Sequence, residues 1–173
     1  MSPEELVYTY MMKVTNKILE KTVIPDKSYE DVKQIDFNEL AKMKEKFGLE
    51  GIILDIDGTL REDMKKIDYR NVKWIFRLKK MFKVCMVSNG KDPNVQKLAD
   101  KLGITYYPFA FKPLKRGFLA ATNQMQVDPK NVLVVGDEYL ADIVGGKRMG
   151  MKTALIKNKN EEEQSKSKEI EDR

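Results

Sequence analysis

The chain has 173 residues, of which 42% are hydrophobic and 34% charged, with a formal net charge of +5, one cysteine and no histidine. That length fits one α/β domain with terminal additions, and a single cysteine excludes an intrachain disulfide. Without histidine the commonest general base and transition-metal ligand are gone, so any catalysis must use carboxylates, lysine or hydroxyls. A hard, oxygen-binding cation such as Mg²⁺ suits that inventory better than zinc.

No apolar run approaches the roughly 18 residues that a membrane-spanning helix needs. Glu4, Glu5, Lys13 and Lys17 are out of place in a secretory signal, so the protein is expected to be cytoplasmic. From the N-terminus, residues 1–22 form a first unit, in which Pro3 to Lys21 reads as an amphipathic helix. Val7, Met11, Val14 and Ile18 form its apolar stripe, and Lys13, Lys17 and Lys21 lie on its polar side. Such a helix suits a bilayer interface, and it suits packing on its own domain or in a dimer equally well.

Residues 23–157 read as the folded domain. Asp36 and Glu39 open a helix with Leu40, Met43 and Phe47 on its apolar side, and Gly48 stops it. The apolar run Ile52-Ile53-Leu54 then ends in Asp55-Ile56-Asp57-Gly58-Thr59, a strand delivering two carboxylates to its carboxyl end. Helices follow at about 69–80, 94–102, 114–125 and 140–148. They alternate with strands at Lys83 to Val87, Ile104 to Tyr107, Asn131 to Val135 and Lys152 to Ile156. This alternation predicts a Rossmann-like, doubly wound parallel sheet of about five strands with extra N-terminal helices. Cys85, inside an apolar strand, is expected to be a buried, unreactive thiol. Residues 158–173 alternate charge without apolar periodicity and read as a disordered or loosely helical tail.

Ligands bind beyond the carboxyl ends of the strands in open α/β sheets, and four such features stand in order. After Asp55 and Asp57 comes Ser88-Asn89-Gly90, whose hydroxyl and turn amides can hold the oxygens of an anion. Lys112 follows, just ahead of a helix N-terminus that itself favours negative charge. Asp137 ends the next strand, and Asp142 lies one helical turn further on.

Together these residues resemble the four motifs of the haloacid dehalogenase-like superfamily, and most of residues 23–156 is similar to its capless YqeG-type branch, related to phosphatidylglycerophosphate phosphatases. The resemblance implies a Mg²⁺-dependent phosphomonoesterase. Asp55 would attack phosphorus and become a transient aspartyl phosphate, while Asp57 would protonate the leaving oxygen and then activate water. Ser88, Asn89 and Gly90 would hold the phosphoryl oxygens, and Lys112 would offset charge. Mg²⁺ would be held by Asp55, the main-chain carbonyl of Asp57 and Asp137, with Asp142 ligating through water or orienting Lys112. Gly58 stands where asparagine is common in that branch, a departure expected to be chemically harmless, and the helix before Val23 is longer than the family pattern.

The intervals from Asp57 to Ser88 and from Ser88 to Lys112 have room for crossover helices but not for a cap domain. An open site favours a bulky phosphorylated substrate, and a lipid headgroup such as phosphatidylglycerophosphate is the leading expectation. Protein, nucleotide and sugar phosphates remain alternatives, as does a phospho-acceptor or binding module without turnover. Residues Arg61 to Lys83 hold nine Lys or Arg against three acids. This basic segment is either a solvated helix surface or an attraction to an anionic surface at the inner face of a membrane. Nucleic acid is the less favoured polyanion, because a full set of phosphatase motifs would be idle in a nucleic-acid-binding module.

Overall fold

The computed structural model describes residues 2–62 and 64–157. The charged tail lies outside the described residues. In chain order the elements are α1 (Pro3–Thr22), β1 (Lys27–Tyr29), α2 (Phe37–Phe47), β2 (Gly51–Leu54), α3 (Tyr69–Leu78), β3 (Lys83–Val87), α4 (Pro93–Leu102), β4 (Thr105–Tyr107), α5 (Lys115–Met125), β5 (Val132–Gly136), α6 (Gly145–Arg148) and β6 (Lys152–Ile156). A π-helical turn, Tyr139–Val144, leads into α6.

The six strands form one parallel sheet in the order β1-β6-β5-β2-β3-β4. Strand periodicity divides the apolar residues between its two sides. Ile52, Leu54, Val84, Met86, Leu133 and Val135 join the α2, α3 and α4 residues Leu40, Met43, Ile75, Leu78 and Ala99 in one cluster. Ile53, Cys85, Val87, Val132 and Val134 meet Phe118, Ala121 and Met125 of α5 in the other. Both sides of the sheet are therefore covered, as a parallel sheet requires. Burial pushes the Cys85 thiol up to about 12, in keeping with an inert core position.

One strand more than the expected five is present. β1 has three residues and no buried side chain, so it lacks the apolar signature of a strand. It is fastened by Asp26, whose Oδ2 accepts 2.9 Å hydrogen bonds from the Thr153 amide and hydroxyl. Asp36 caps α2 by accepting from the Asn38 amide, and Gly48 ends it at φ 67°. Between β2 and β3 lies α3 with its loops, and between β3 and β4 lies α4. Among the described residues neither crossover contains a cap domain.

No residue of α1 is buried. It packs beside the π-helical turn, where Asn16 Oδ1 accepts the Leu140 amide at 2.9 Å. Leu6, Val7, Tyr8, Tyr10, Met11 and Ile18 are exposed. No helix of the described residues is long and apolar enough to cross a membrane.

Candidate active site

The site is assembled at the carboxyl ends of β2, β3 and β5. Asp55 remains in the ladder, its amide donating to the Val135 carbonyl at 2.9 Å, and the chain then turns sharply. The Ile56 carbonyl accepts from Thr59, Leu60 and Arg61, and Gly58 sits at φ 79°. A Cβ on Gly58 would lie 2.0 Å from Asp137 Oδ2, so glycine is what lets β5 bring its carboxylate against the turn. Glycine at this position, where asparagine is common in the YqeG-type branch, therefore suits the turn as it is built here. Asparagine tolerates positive φ but would need Asp137 to move.

Lys112 is the hub. Its Nζ lies 2.6 Å from Asp55 Oδ1 and 2.6 Å from Asp142 Oδ1, and its side chain is 2% exposed. Burial alone would drive the ammonium toward losing its proton, but Asp142 and Asp55 outweigh that penalty and hold its pKa above the ordinary value. Asn89 fixes the Lys112 backbone. Its Oδ1 accepts the Lys112 amide at 2.6 Å and its Nδ2 donates to the Lys112 carbonyl at 3.1 Å. The Asn89 side chain is thus engaged in placing the lysine, while the expected phosphoryl contact of Asn89 is through its backbone amide. Ser88 is buried, and its Oγ accepts the Gly90 amide at 3.1 Å.

Asp142 reaches the lysine because of the π-helical turn, where a regular α-helix had been expected from residue 140. The wider turn returns Asp142 under β5, where a Cβ on Gly136 would lie 2.2 Å from its Cγ. Burial raises the Asp142 carboxyl to about 7 while the Lys112 charge opposes the rise. Asp137 is pushed well above the carboxylate range, first by burial and then by the neighbouring Asp55 charge. Thr59 Oγ1 bridges the two acids, 3.2 Å from Asp55 Oδ2 and 3.4 Å from Asp137 Oδ1.

Asp55, Asp137 and Asp142 offer carboxylate oxygens within 4.8 Å of one another. Once deprotonated, three acids against one ammonium give the cluster excess negative charge, and its donors are all oxygen. Those properties fit a hard divalent cation such as Mg²⁺. The Asp57 side chain is not part of this cluster. Its Oδ1 accepts from Arg61 Nε at 2.7 Å and from the Met64 amide at 3.2 Å. Arg61 in turn donates to Asp92 Oδ2 at 2.7 Å, and its side chain is 4% exposed. The sequence reading missed Arg61, counting it only among the basic residues. A lone arginine between turn residues carries no signal until the fold supplies Asp92.

The loop between β4 and α5 also departs from ordinary backbone. Phe109 and Phe111 adopt φ 51° and 54°, a left-handed conformation that costs an L-residue about 1–2 kcal/mol, and both rings are exposed.

A parallel sheet with this acid–lysine constellation at its strand ends defines a phosphatase-type hydrolase of the haloacid dehalogenase-like superfamily, and the chain belongs to that superfamily. The family model described as haloacid dehalogenase-like hydrolase matches residues 70–150. The chain is 35% identical over 141 residues to a Bacillus subtilis protein called probable phosphatase YqeG, covering 80% of each. Among solved structures, a haloacid dehalogenase family enzyme of Bacteroides thetaiotaomicron, complexed with magnesium and inorganic phosphate, matches at TM-score 0.54. Its identity is 14%, with 65% of this chain and 96% of that one covered. A predicted hydrolase of the same family from Porphyromonas gingivalis gives 0.53 at 15% identity, with 64% and 92% covered. At these identities the structural matches speak for the fold alone.

Proposed function

We propose that the chain is a metal-dependent phosphomonoesterase that works through an aspartyl phosphate on Asp55, with phosphatidylglycerophosphate as the leading substrate. The observation that carries the reaction class is the convergence of Lys112 on Asp55 and Asp142 beside Asp137. Asp55, Asp137 and Asp142 would hold Mg²⁺, together with the Asp57 main-chain carbonyl expected from the family resemblance. The cation would supply charge neutralisation for the transferring phosphoryl group.

Asp55 Oδ attacks phosphorus in line, and the ester oxygen leaves with the proton that Asp57 supplies. Asp57 then takes a proton from water as that water attacks the aspartyl phosphate, releasing phosphate and restoring Asp55. Lys112 holds Asp55 in place and offsets charge on the phosphoryl oxygens, which the Ser88 hydroxyl and the adjoining turn amides at Asn89 and Gly90 help to hold. Asn89 and Asp142 act by keeping the lysine in place. Asp57 would serve the leaving group through Oδ2 while its Oδ1 stays on Arg61 and the Met64 amide.

Residues 23–157 form the catalytic domain in this reading. The exposed apolar side of α1, with Lys13, Lys17 and Lys21, supports a peripheral contact with an anionic membrane at its cytoplasmic face. Phosphate release from phosphatidylglycerophosphate in mixed micelles, compared with a soluble aryl phosphate, tests the substrate. Strong preference for the lipid is expected, and hydrolysis of the aryl ester alone would keep the phosphatase and discard the lipid. Removal of residues 1–22 is expected to weaken binding to anionic vesicles, and unchanged binding would remove the membrane contact.

A further inference from the structure

Between the turn at Ser88 and the lysine at 112, side chains alternate sharply between inside and outside. Ala110 is 0% and Lys112 6% exposed, whereas Phe109 is 53% and Phe111 57% exposed. The inward residues explain the tightness of the loop. Ala110 is pressed on α5, where a Cβ on Gly117 would fall 2.6 Å from the Ala110 Cβ, and its amide donates to the Ser88 carbonyl at 3.0 Å. The outward residues receive nothing comparable. Both phenylalanines hold the left-handed backbone, which asparagine or glycine would adopt at less cost, and neither ring is buried in the core.

The position of the two rings is specific. The Phe109 amide donates to the Gly90 carbonyl at 3.3 Å, which ties it to the turn beside Ser88. Phe111 directly precedes Lys112, whose Nζ contacts Asp55. Leu114, 58% exposed, is joined to Phe111 by a 2.9 Å backbone hydrogen bond. Three exposed apolar side chains thus stand on the segment that carries Lys112 and is hydrogen-bonded to the turn beside Ser88. Strain held at large residues without burial in return points to a role in binding rather than in folding.

We infer that Phe109, Phe111 and Leu114 form an apolar rim that holds the hydrocarbon part of a phosphoester beyond its phosphate. The inference rests on the phosphoester reading of the site but not on which ester is natural. The phosphoryl group sits among Asp55, Ser88 and Lys112, and the hydrocarbon beyond its ester oxygen lies along the rim, leaving water.

The test compares binding of methylphosphonate and hexylphosphonate to the full chain by calorimetry with Mg²⁺ present, for the wild-type protein and for the Phe109→Asn, Phe111→Asn double variant. Asparagine accepts the left-handed backbone, so this variant is expected to melt no lower than wild type. Hexylphosphonate is expected to bind the wild-type protein about tenfold tighter, as burial of about two of its added methylenes would give, with the ratio falling close to one in the variant. A ratio near one in the wild-type protein, the same ratio in both proteins, binding of neither probe, or a marked loss of stability in the variant would overturn the rim. Hydrolysis of an aryl phosphate, measured in parallel, separates the two readings. Selective phosphonate binding without turnover would reject the phosphatase and keep the rim, while turnover with a ratio near one would do the reverse.

Discussion

Lys112 and Asp55, 57 positions apart in the chain, meet at 2.6 Å, and the same ammonium lies 2.6 Å from Asp142. One positive charge therefore joins the acid at the end of β2 to the acid on the π-helical turn that follows β5. Lys112→Met leaves these carboxylates facing each other in a buried site, and breaking such a pair costs about 3–5 kcal/mol. A large drop in melting temperature is expected in the metal-free protein, together with loss of phosphate release. Unchanged melting would mean that the lysine does not organise the site.

Gly58 is a second sensitive point, because its missing Cβ is filled by Asp137. Gly58→Ala places a side chain at φ 79° and pushes that carboxylate aside. The fold should lose about 1–2 kcal/mol. The larger effect is expected in the Mg²⁺ titration of activity, with half-saturation raised about tenfold or more. A variant with wild-type Mg²⁺ dependence would show that Asp137 is not a ligand.

Arg61 holds Asp57 to Asp92, the residue that caps α4 through the Asn94 amide. Arg61→Gln frees the Asp57 carboxylate to wander. A lower kcat, by about tenfold or more, with little change in KM is expected if Asp57 acts as the acid and base. A rise in KM alone would assign Arg61 to substrate binding instead.

Asp137 and Asp142 both hold their protons more tightly in the folded protein than in an unfolded chain, Asp142 to about 7. The folded state therefore binds more protons between the ordinary aspartate range and those raised values, so its stability falls as pH rises through that window. The melting temperature of the metal-free protein is expected to decline from about pH 5 to about pH 7.5. Mg²⁺ should remove much of the decline by taking the place of the protons. Asp137→Asn should make it shallower without metal, leaving the part that Asp142 contributes. A metal-free melting temperature that rises over this interval would contradict the electrostatic picture of the cluster.

The strand ends were legible in the sequence because their signals are local. Ile52 to Leu54 leading into Asp55, and Val132 to Val135 leading into Asp137, mark a buried strand and what it presents. The Lys112 position could be picked out for the same reason, as a lysine at a helix start. What escaped depends on contacts between distant segments. β1 has no apolar pattern and is held by Asp26 on Thr153. The π-helical turn follows from the fit of Asp142 under Gly136, which helix periodicity does not encode. Asn89 belongs to Lys112, 23 positions away, and Arg61 to Asp92, 31 positions away, pairings that exist only once β4 lies beside β3 and β3 beside β2.

The most direct measurement is Mg²⁺-dependent phosphate release from para-nitrophenyl phosphate by the wild-type chain and by Asp55→Asn, with melting curves for both. Release by the wild-type protein and none by a variant that remains folded is the expected result. Turnover retained by folded Asp55→Asn would contradict the assignment of Asp55 as the nucleophile.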